Sequence, residues 1–171
     1  QEGPMGFQKL VAVKRIRVDH GDDDEFTDMF LDEARIAALL THANIAQIYD
    51  LGMDERSPYL AMEFVNGRNL SAVMRKLSAH GQGVPGEVAA TILIGVTRGL
   101  SYAHAKKGMD GQPLRLVHRD VTPHNVLVNV DGEVKLVDFG IAKASNQMAR
   151  TRHGVLKGKY AYMSPEQVYG K

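Results

Sequence analysis

The pattern of hydrophobic and polar positions predicts strands early in the chain, helices in the middle and one hairpin late. Before the hairpin we predict six elements, in chain order: a strand at Leu10–Val18, a helix at Glu25–Leu40, strands at Ile45–Leu51 and Tyr59–Phe64, and helices at Leu70–His80 and Glu87–His104. The turn-forming pair Asn66–Gly67 interrupts this pattern. The order of elements indicates an α+β fold whose two subdomains meet near Asn66.

The late hairpin has the most explicit predicted geometry. Val126–Val130 and Glu133–Val137 flank Asp131–Gly132, a pair typical of a two-residue type I′ turn. In that register Asn125 faces Asp138, and cross-strand Cβ atoms lie about 4.5–5.5 Å apart. An amide oxygen and a carboxylate together suit Mg²⁺. The alternative is a surface pair that only closes the sheet.

Two opposite charges lie where the pattern predicts apolar faces. The predicted helix at Glu25–Leu40 carries one apolar stripe: Phe26, Met29, Phe30, Ala37 and Leu40. Glu33 falls inside this stripe. Lys14 lies on the strand face that Ala12 and Ile16 also form. Because an unpaired charge on a core-facing surface is unfavourable, Glu33 and Lys14 are candidate partners. Alternatively, Glu33 lies at the edge of the stripe in water and the Lys14 stem snorkels.

Composition narrows the classes of function. The 171 residues suffice for one domain or for part of a larger one, and 21 Lys and Arg against 20 Asp and Glu give a net charge of +1. That balance argues against nucleic-acid binding by bulk charge. The absence of Cys excludes a disulfide scaffold and a thiol nucleophile. The longest apolar run, near Val88–Val96, is far shorter than the ~20 residues that cross a bilayer. We expect a cytoplasmic location, with membrane anchoring of the complete protein left open.

Four short motifs occur in order: VAVK at Val11–Lys14, HRDVTPHN at His118–Asn125, DFG at Asp138–Gly140 and SPE at Ser164–Glu166. Together with Glu33, they closely resemble the protein kinase family, in particular the bacterial eukaryotic-like (Hanks-type) serine/threonine kinases. The resemblance implies a partial bilobal fold. Residues 1–65 would form a partial N-lobe with strand 3, helix C, strands 4 and 5 and the hinge. Residues 66–171 would form a partial C-lobe with helices D and E, the catalytic loop, the metal-ligand hairpin and the activation segment. We expect the glycine-rich loop, the first strands and the helices after SPE to be missing, so that the chain is truncated at both ends.

The resemblance assigns the chemistry of phosphoryl transfer to five residues. Asp120 would accept the proton of the acceptor hydroxyl as the γ-phosphoryl group moves in line. Lys14 would hold the α- and β-phosphates of ATP and would be fixed by Glu33. Asn125 and Asp138 would bind Mg²⁺, in agreement with the predicted hairpin register.

The resemblance also implies a nucleotide pocket. Its residues would be the gatekeeper Met62, the hinge residues Glu63 and Val65, Ala12 and Leu127 on the two faces of adenine, and Asn69 near the ribose. For the apolar members, ordinary core packing is the alternative.

Two positions depart from the family pattern. Thr122 stands where serine/threonine kinases usually have a Lys that contacts the γ-phosphate, and Lys159 stands where they usually have a Thr. We hypothesise that Lys159 supplies the missing cation from the opposite side of the site, with Thr122 as its hydrogen-bond partner. The alternative is that Lys159 only extends a solvated basic face.

We expect the activity to be regulated through Arg119, the residue before Asp120. In this family, Arg119 implies control by a phosphorylated activation-segment residue that binds the Arg. Thr151 is the preferred phosphorylation site, and Ser145 is the other hydroxyl available. Activity without such phosphorylation is the alternative.

The sequence therefore predicts the middle of an ATP-dependent serine/threonine protein kinase, which transfers the γ-phosphoryl group of Mg-ATP to a protein Ser or Thr hydroxyl. Two other interpretations stay open. One is an inactive, pseudokinase-like nucleotide-binding module that results from truncation. The other is a small-molecule kinase, which the HRD, DFG and SPE set disfavours. Neither nucleic acid nor membrane is an expected partner, and the sequence specifies neither the protein substrate nor the oligomeric state.

Overall fold

The computed structural model describes residues 8–15, 31, 34–54, 57–139 and 160–169. The strands and helices of these residues are β1 (Val11–Arg15), β2 (Ile48–Asp54), β3 (Ser57–Glu63), β4 (Gly67–Asn69), α1 (Leu70–Ala79), α2 (Gly86–Ala105), β5 (Val126–Asn129), β6 (Val134–Leu136) and α3 (Pro165–Val168). A 3₁₀ turn at Tyr160–Tyr162 precedes α3. The predicted α+β class is confirmed.

The predicted helix at Glu25–Leu40 lies mostly outside the described residues. Within its described part, residues 34–37 are helical and a turn follows them. None of the helices in the described ranges is long and apolar enough to cross a membrane.

Two antiparallel three-stranded sheets organise the described residues, with strand orders β1–β3–β2 and β4–β5–β6. In the first sheet, Ala12 pairs with Met62 and Lys14 pairs with Leu60. Ala12 and Lys14 are half-buried whereas Val13 is exposed, so the first two share the inner face of β1. The alternation of β1 therefore directs the Lys14 side chain inward, as its position in the sequence predicts.

The β5–β6 hairpin contradicts the predicted register. Val126 pairs with Leu136, which leaves three residues in the loop rather than two. Asn125 consequently faces Val137, whose backbone N–H donates to the Asn125 carbonyl oxygen at 3.0 Å. The predicted position of Asn125 directly opposite Asp138 is wrong by one residue.

The Asn129 side chain explains this longer turn. Its carboxamide oxygen accepts hydrogen bonds from the backbone N–H groups of Asp131, at 3.0 Å, and Glu133, at 2.7 Å. Gly132 has a φ of 84°, and Asp131 is not among the residues with positive φ. A type I′ turn needs positive φ at both central residues, whereas a three-residue loop needs it only at the final position. The side-chain hydrogen bonds and Gly132 therefore favour the three-residue loop.

One apolar core joins α2, the second sheet and the segment before β2. Its buried members are Ala37, Leu40, Ile45, Ile92, Val96, Ala103, Val126, Val134, Leu136 and Phe139. Gly95 lets α2 approach β6 closely, because a Cβ there would lie 2.8 Å from the Val134 Cβ. Asn44 extends the second sheet: its carbonyl accepts the Leu136 N–H at 2.9 Å, and its Nδ2 donates to the Val134 carbonyl at 2.9 Å. The core thus fixes β6, and with it the residues that follow β6.

Candidate active site

Four of the predicted chemical residues form two linked pairs. The Lys14 Nζ lies 2.7 Å from the Asp138 Oδ1. The Asn125 Nδ2 donates to both the carbonyl oxygen and the Oδ2 of Asp120, each at 2.9 Å. The backbone hydrogen bond between Asn125 and Val137, the neighbour of Asp138, links the two pairs. The structure therefore brings Lys14, Asp120, Asn125 and Asp138 together even though the predicted hairpin register is wrong.

Asn125 and Asp138 present oxygen atoms suited to a hard cation. Because the Asn125 Nδ2 is bound to Asp120, its Oδ1 is the side-chain atom that would bind a metal. The carboxylate of Asp138 supplies further oxygen ligands. No group of three or more His, Asp or Glu side chains with metal-site geometry occurs in the described part of the chain. Mg²⁺ does not need one, since it is usually held by one or two protein groups together with phosphates and water.

The contact of Lys14 with Asp138 was not predicted. Glu33, the predicted partner of Lys14, lies outside the described residues, so that pairing stays a prediction.

Asp138 has a φ of 58° and Arg119 a φ of 59°. A left-handed conformation at a residue other than glycine costs on the order of 1–3 kcal/mol and persists where the surroundings impose it. Asp138 belongs to one linked pair and Arg119 adjoins Asp120 of the other, so the backbone is held in an unfavourable conformation at both pairs.

The buried side chain of His118 links two parts of the backbone that carry site residues. Its ring is 1% exposed and lies 4.5 Å, between centroids, from the Phe139 ring. The Nε2–H donates to the Val137 carbonyl at 3.1 Å, and Nδ1 accepts the Asp120 N–H at 3.3 Å. Burial lowers the pKa of His118, which agrees with a neutral ring that donates at one nitrogen and accepts at the other. His118 thereby connects the backbone at Asp120 to the backbone beside Asp138.

We expect His118 to make stability fall as the pH falls. The folded state holds its pKa below the ordinary value, so the unfolded state binds more protons once the pH drops through about 6.5. Denaturant unfolding at about pH 7.5 and about pH 5.5 measures this loss. The His118→Gln variant should lose less stability over this interval than the wild type. Equal losses in wild type and His118→Gln would contradict the assignment.

An ion pair between the two sheets was missed by the sequence analysis. The Lys135 Nζ lies 2.7 Å from the Glu63 Oε1, and the two side chains are only 12% and 23% exposed. The other carboxylate oxygen of Glu63 accepts the Gln47 N–H at 3.1 Å. The sequence pattern carries no such signal, because Lys135 alternates with Val134 and Leu136 and so shares a strand face with Glu133, as an ordinary solvent-facing lysine does. The pair ties the end of β3, where the hinge is predicted, to β6.

Removing one partner of this pair should destabilise the fold. Lys135→Met leaves the Glu63 carboxylate largely buried without its cation, and we expect the free energy of unfolding to fall by about 2–3 kcal/mol. Adding Glu63→Gln should recover part of the loss in a double-mutant cycle. The exposed Arg15–Asp54 pair is the matched control, since Asp54→Asn should cost less than about 1 kcal/mol. Equal losses at the two pairs, measured by denaturant unfolding, would contradict the proposed importance of burial.

The predicted nucleotide residues flank the end of β3. Ala12 and Met62 are cross-strand neighbours in the first sheet, and Asn69 and Leu127 are cross-strand neighbours in the second. Val65 is half-buried in the connection between these sheets. The Asn69 Oδ1 accepts the backbone N–H of Ala72, in the first turn of α1, at 2.8 Å, and its NH₂ group could donate to a ribose. The roles of these residues in nucleotide binding stay predictions.

Of the four remaining predicted residues, two lie within the described ranges and two lie outside them. Thr122 is 6% exposed, and its carbonyl oxygen accepts the Asn125 N–H at 2.9 Å. Arg119 is exposed. Lys159 and Thr151 lie outside the described residues, so their predicted partnerships with Thr122 and Arg119 stay predictions.

Comparison with known proteins identifies the family. Residues 6–171 match the protein kinase domain, and the chain belongs to the protein kinase family. The predicted resemblance to bacterial Hanks-type kinases is confirmed. Members of this family generally use ATP and a divalent metal ion.

Individual relatives are named for different activities. The chain is 44% identical over 169 residues to the tyrosine-protein kinase MasK of Myxococcus xanthus. The aligned region covers 99% of this chain and 26% of that protein. It is 37% identical over 164 residues to the serine/threonine-protein kinase PrkC of Bacillus subtilis. This aligned region covers 96% of this chain and 24% of that protein. The crystal structure of the Mycobacterium tuberculosis PknI kinase domain superposes with a TM-score of 0.63 at 34% identity, covering 81% of this chain and 52% of that chain. The chain thus spans about a quarter of these two curated relatives and about half of that solved domain.

Proposed function

We propose that this chain carries the phosphoryl-transfer site of a serine/threonine protein kinase. The observation that supports this most directly is the pair of contacts Asp120–Asn125 and Lys14–Asp138, joined through one backbone hydrogen bond. An inactive, pseudokinase-like module is not favoured, because each of these four chemical groups is present. The names of curated relatives, among them PrkC, support a protein Ser or Thr as acceptor.

Asp120 would act as the base toward the acceptor hydroxyl. The Asn125 Nδ2 binds one carboxylate oxygen at 2.9 Å and so fixes the orientation of the carboxylate. The backbone N–H of Asp120 is bound to His118. A carboxylate held in this way can accept the hydroxyl proton and align the oxygen for in-line attack. Such positioning, together with electrostatic stabilisation, is the main contribution that a protein makes to this reaction.

Lys14 and Asp138 would serve the phosphate groups. A bound Mg²⁺ supplies charge neutralisation and orientation of the phosphates, and the oxygens of Asp138 and Asn125 fit such an ion. The Lys14 ammonium has three N–H donors. It can therefore bind phosphate oxygens while remaining close to Asp138. This arrangement places positive charge where negative charge must be stabilised during transfer.

A tyrosine acceptor is the second candidate, because MasK, 44% identical to this chain, is named a tyrosine-protein kinase. Peptides that are identical except for one Ser, Thr or Tyr distinguish the two. We expect the full-length protein to phosphorylate the Ser or Thr peptide at least about tenfold faster than the Tyr peptide. Phosphorylation of Tyr alone would favour the second candidate. Mg-ATP binding without transfer to any acceptor would contradict a kinase function.

We also propose that Lys159 replaces the phosphate-binding Lys that Thr122 displaces. Buried Thr122 follows Asp120 by two residues, which supports a position close to the transferred group. Kinase activity should fall in Thr122→Lys and in Lys159→Thr, and the double variant should be more active than the product of the two single effects predicts. Harmless single variants, or a double variant that only combines two losses, would exclude this exchange.

A further inference from the structure

The charge of the chain segment that contains Asp120 differs from that of the whole chain. Residues 64–130 carry eight Lys and Arg against three Asp and Glu, a net charge of +5, whereas the whole chain has a net charge of +1. One of the three acids is Asp120 itself. The others are Glu87, in the first turn of α2, and Asp110, in the loop after α2. The segment that contains the proposed base is therefore strongly basic.

Helix α1 places part of this charge next to the predicted catalytic loop, His118–Asn125. The Ser71 N–H, in the first turn of α1, donates to the Pro123 carbonyl at 3.0 Å. Arg75 follows Ser71 by one helical turn on the same face, and Lys76 follows Arg75. Both basic side chains are exposed, and α1 contains no Asp or Glu.

The predicted catalytic loop supplies one further cation. Arg119 immediately precedes Asp120 and is exposed. A protein segment that presents a hydroxyl to Asp120 must therefore pass close to Arg119, and we expect it to approach Arg75 and Lys76 of α1 as well.

We propose that the acceptor segment is acidic, a Ser or Thr flanked by Asp or Glu. This inference rests on the proposed kinase function and adds the class of its substrate. Complementary charge steers and orients such a segment, whereas a basic segment is repelled. Several exposed charge contacts together change kcat/KM by about tenfold.

Matched acceptor peptides test the charge preference in the full-length protein. Each contains one Thr in the same frame, flanked by Glu, by Gln or by Lys. The Glu peptide should show a kcat/KM about tenfold above the Gln peptide, and the Lys peptide should be the poorest. The advantage should shrink as the ionic strength rises from ~0.05 to ~0.3 M. Equal rates for the Glu and Lys peptides would overturn the proposal.

Charge-reversal variants test whether Arg75 and Lys76 cause the preference for acidic peptides. Arg75→Glu combined with Lys76→Glu should bring the Glu-to-Gln ratio close to one while the rate on the Gln peptide is retained. The control combines Arg98→Glu, on α2, with Lys107→Glu, after α2. Both control residues are exposed, the change in net charge is the same, and the ratio should persist.

Two other outcomes would also overturn the proposal. One is the same loss of the ratio in both double variants, which would indicate only the overall charge. The other is binding of an oligonucleotide through Arg75 and Lys76 without any acid preference among the peptides. Failure to phosphorylate any of the three peptides, or the protein itself, would instead contradict the proposed kinase function, and the substrate class would fall with it.

Discussion

Replacing Asp120 by Asn is expected to slow phosphate transfer by about 10²–10⁴-fold while ATP affinity changes by less than about twofold. The amide has nearly the shape of the carboxylate but cannot accept the hydroxyl proton. The hydrogen bond from Asn125 to Asp120, at 2.9 Å, can still be made to the amide oxygen. A steady-state kinase assay together with calorimetric Mg-ATP binding measures the two effects separately.

The matched control for this substitution is Asp131→Asn. Asp131 is exposed in the β5–β6 loop, so the same chemical change there should leave both activity and ATP affinity unaltered. A fully active Asp120→Asn variant would contradict the assignment of Asp120 as the base. A parallel loss of ATP binding would indicate a structural role instead.

Asp138→Asn is expected to abolish the contribution of Mg²⁺ to ATP binding. Loss of one carboxylate ligand should weaken Mg-ATP binding by at least about 10–100-fold, which is the loss typical of removing even an outer hydrogen-bond partner of a metal ligand. Without Mg²⁺ the same variant should bind ATP at least as tightly as the wild type, because a negative charge next to the phosphates has been removed. ATP titrations with Mg²⁺ and with a chelator give both values.

Lys14→Met is the matched comparison for Asp138→Asn, since the two side chains form one ion pair at 2.7 Å. We expect Lys14→Met to weaken ATP binding with Mg²⁺ and with the chelator alike, because a phosphate-binding cation is lost in both conditions. If the two variants respond identically to Mg²⁺, the division of roles between Lys14 and Asp138 is wrong.

The residues of the site could be named from motifs whose members lie close together in sequence, whereas their roles in catalysis stay predictions. Asp120 and Asn125 lie five residues apart in one loop, and their hydrogen bond needs only that loop to close. Lys14 was recognised as a charge on an inner strand face, where alternation is a reliable guide. Even so, its contact with Asp138 was not foreseen, since it depends on the arrangement of two sheets.

Other features depend on interactions that a hydrophobic pattern does not contain. The Asn129 carboxamide binds two backbone N–H groups and so changed the predicted turn, which shifted the hairpin register by one residue. Strand β4 has three residues and is defined by its pairing with β5 rather than by any periodicity of its own. The Glu63–Lys135 pair joins residues far apart in sequence, so only the folded chain reveals it.

The most direct test follows the γ-phosphoryl group itself. The full-length protein is incubated with Mg²⁺, ATP labelled at the γ-phosphate and an acidic Thr peptide, and the label is located by phosphoamino-acid analysis. We predict label on Thr with the wild type and at least about 100-fold less label with Asp120→Asn, at equal ATP occupancy. Bound ATP with no labelled acceptor in either protein, or equal labelling by both, would contradict phosphoryl transfer at Asp120.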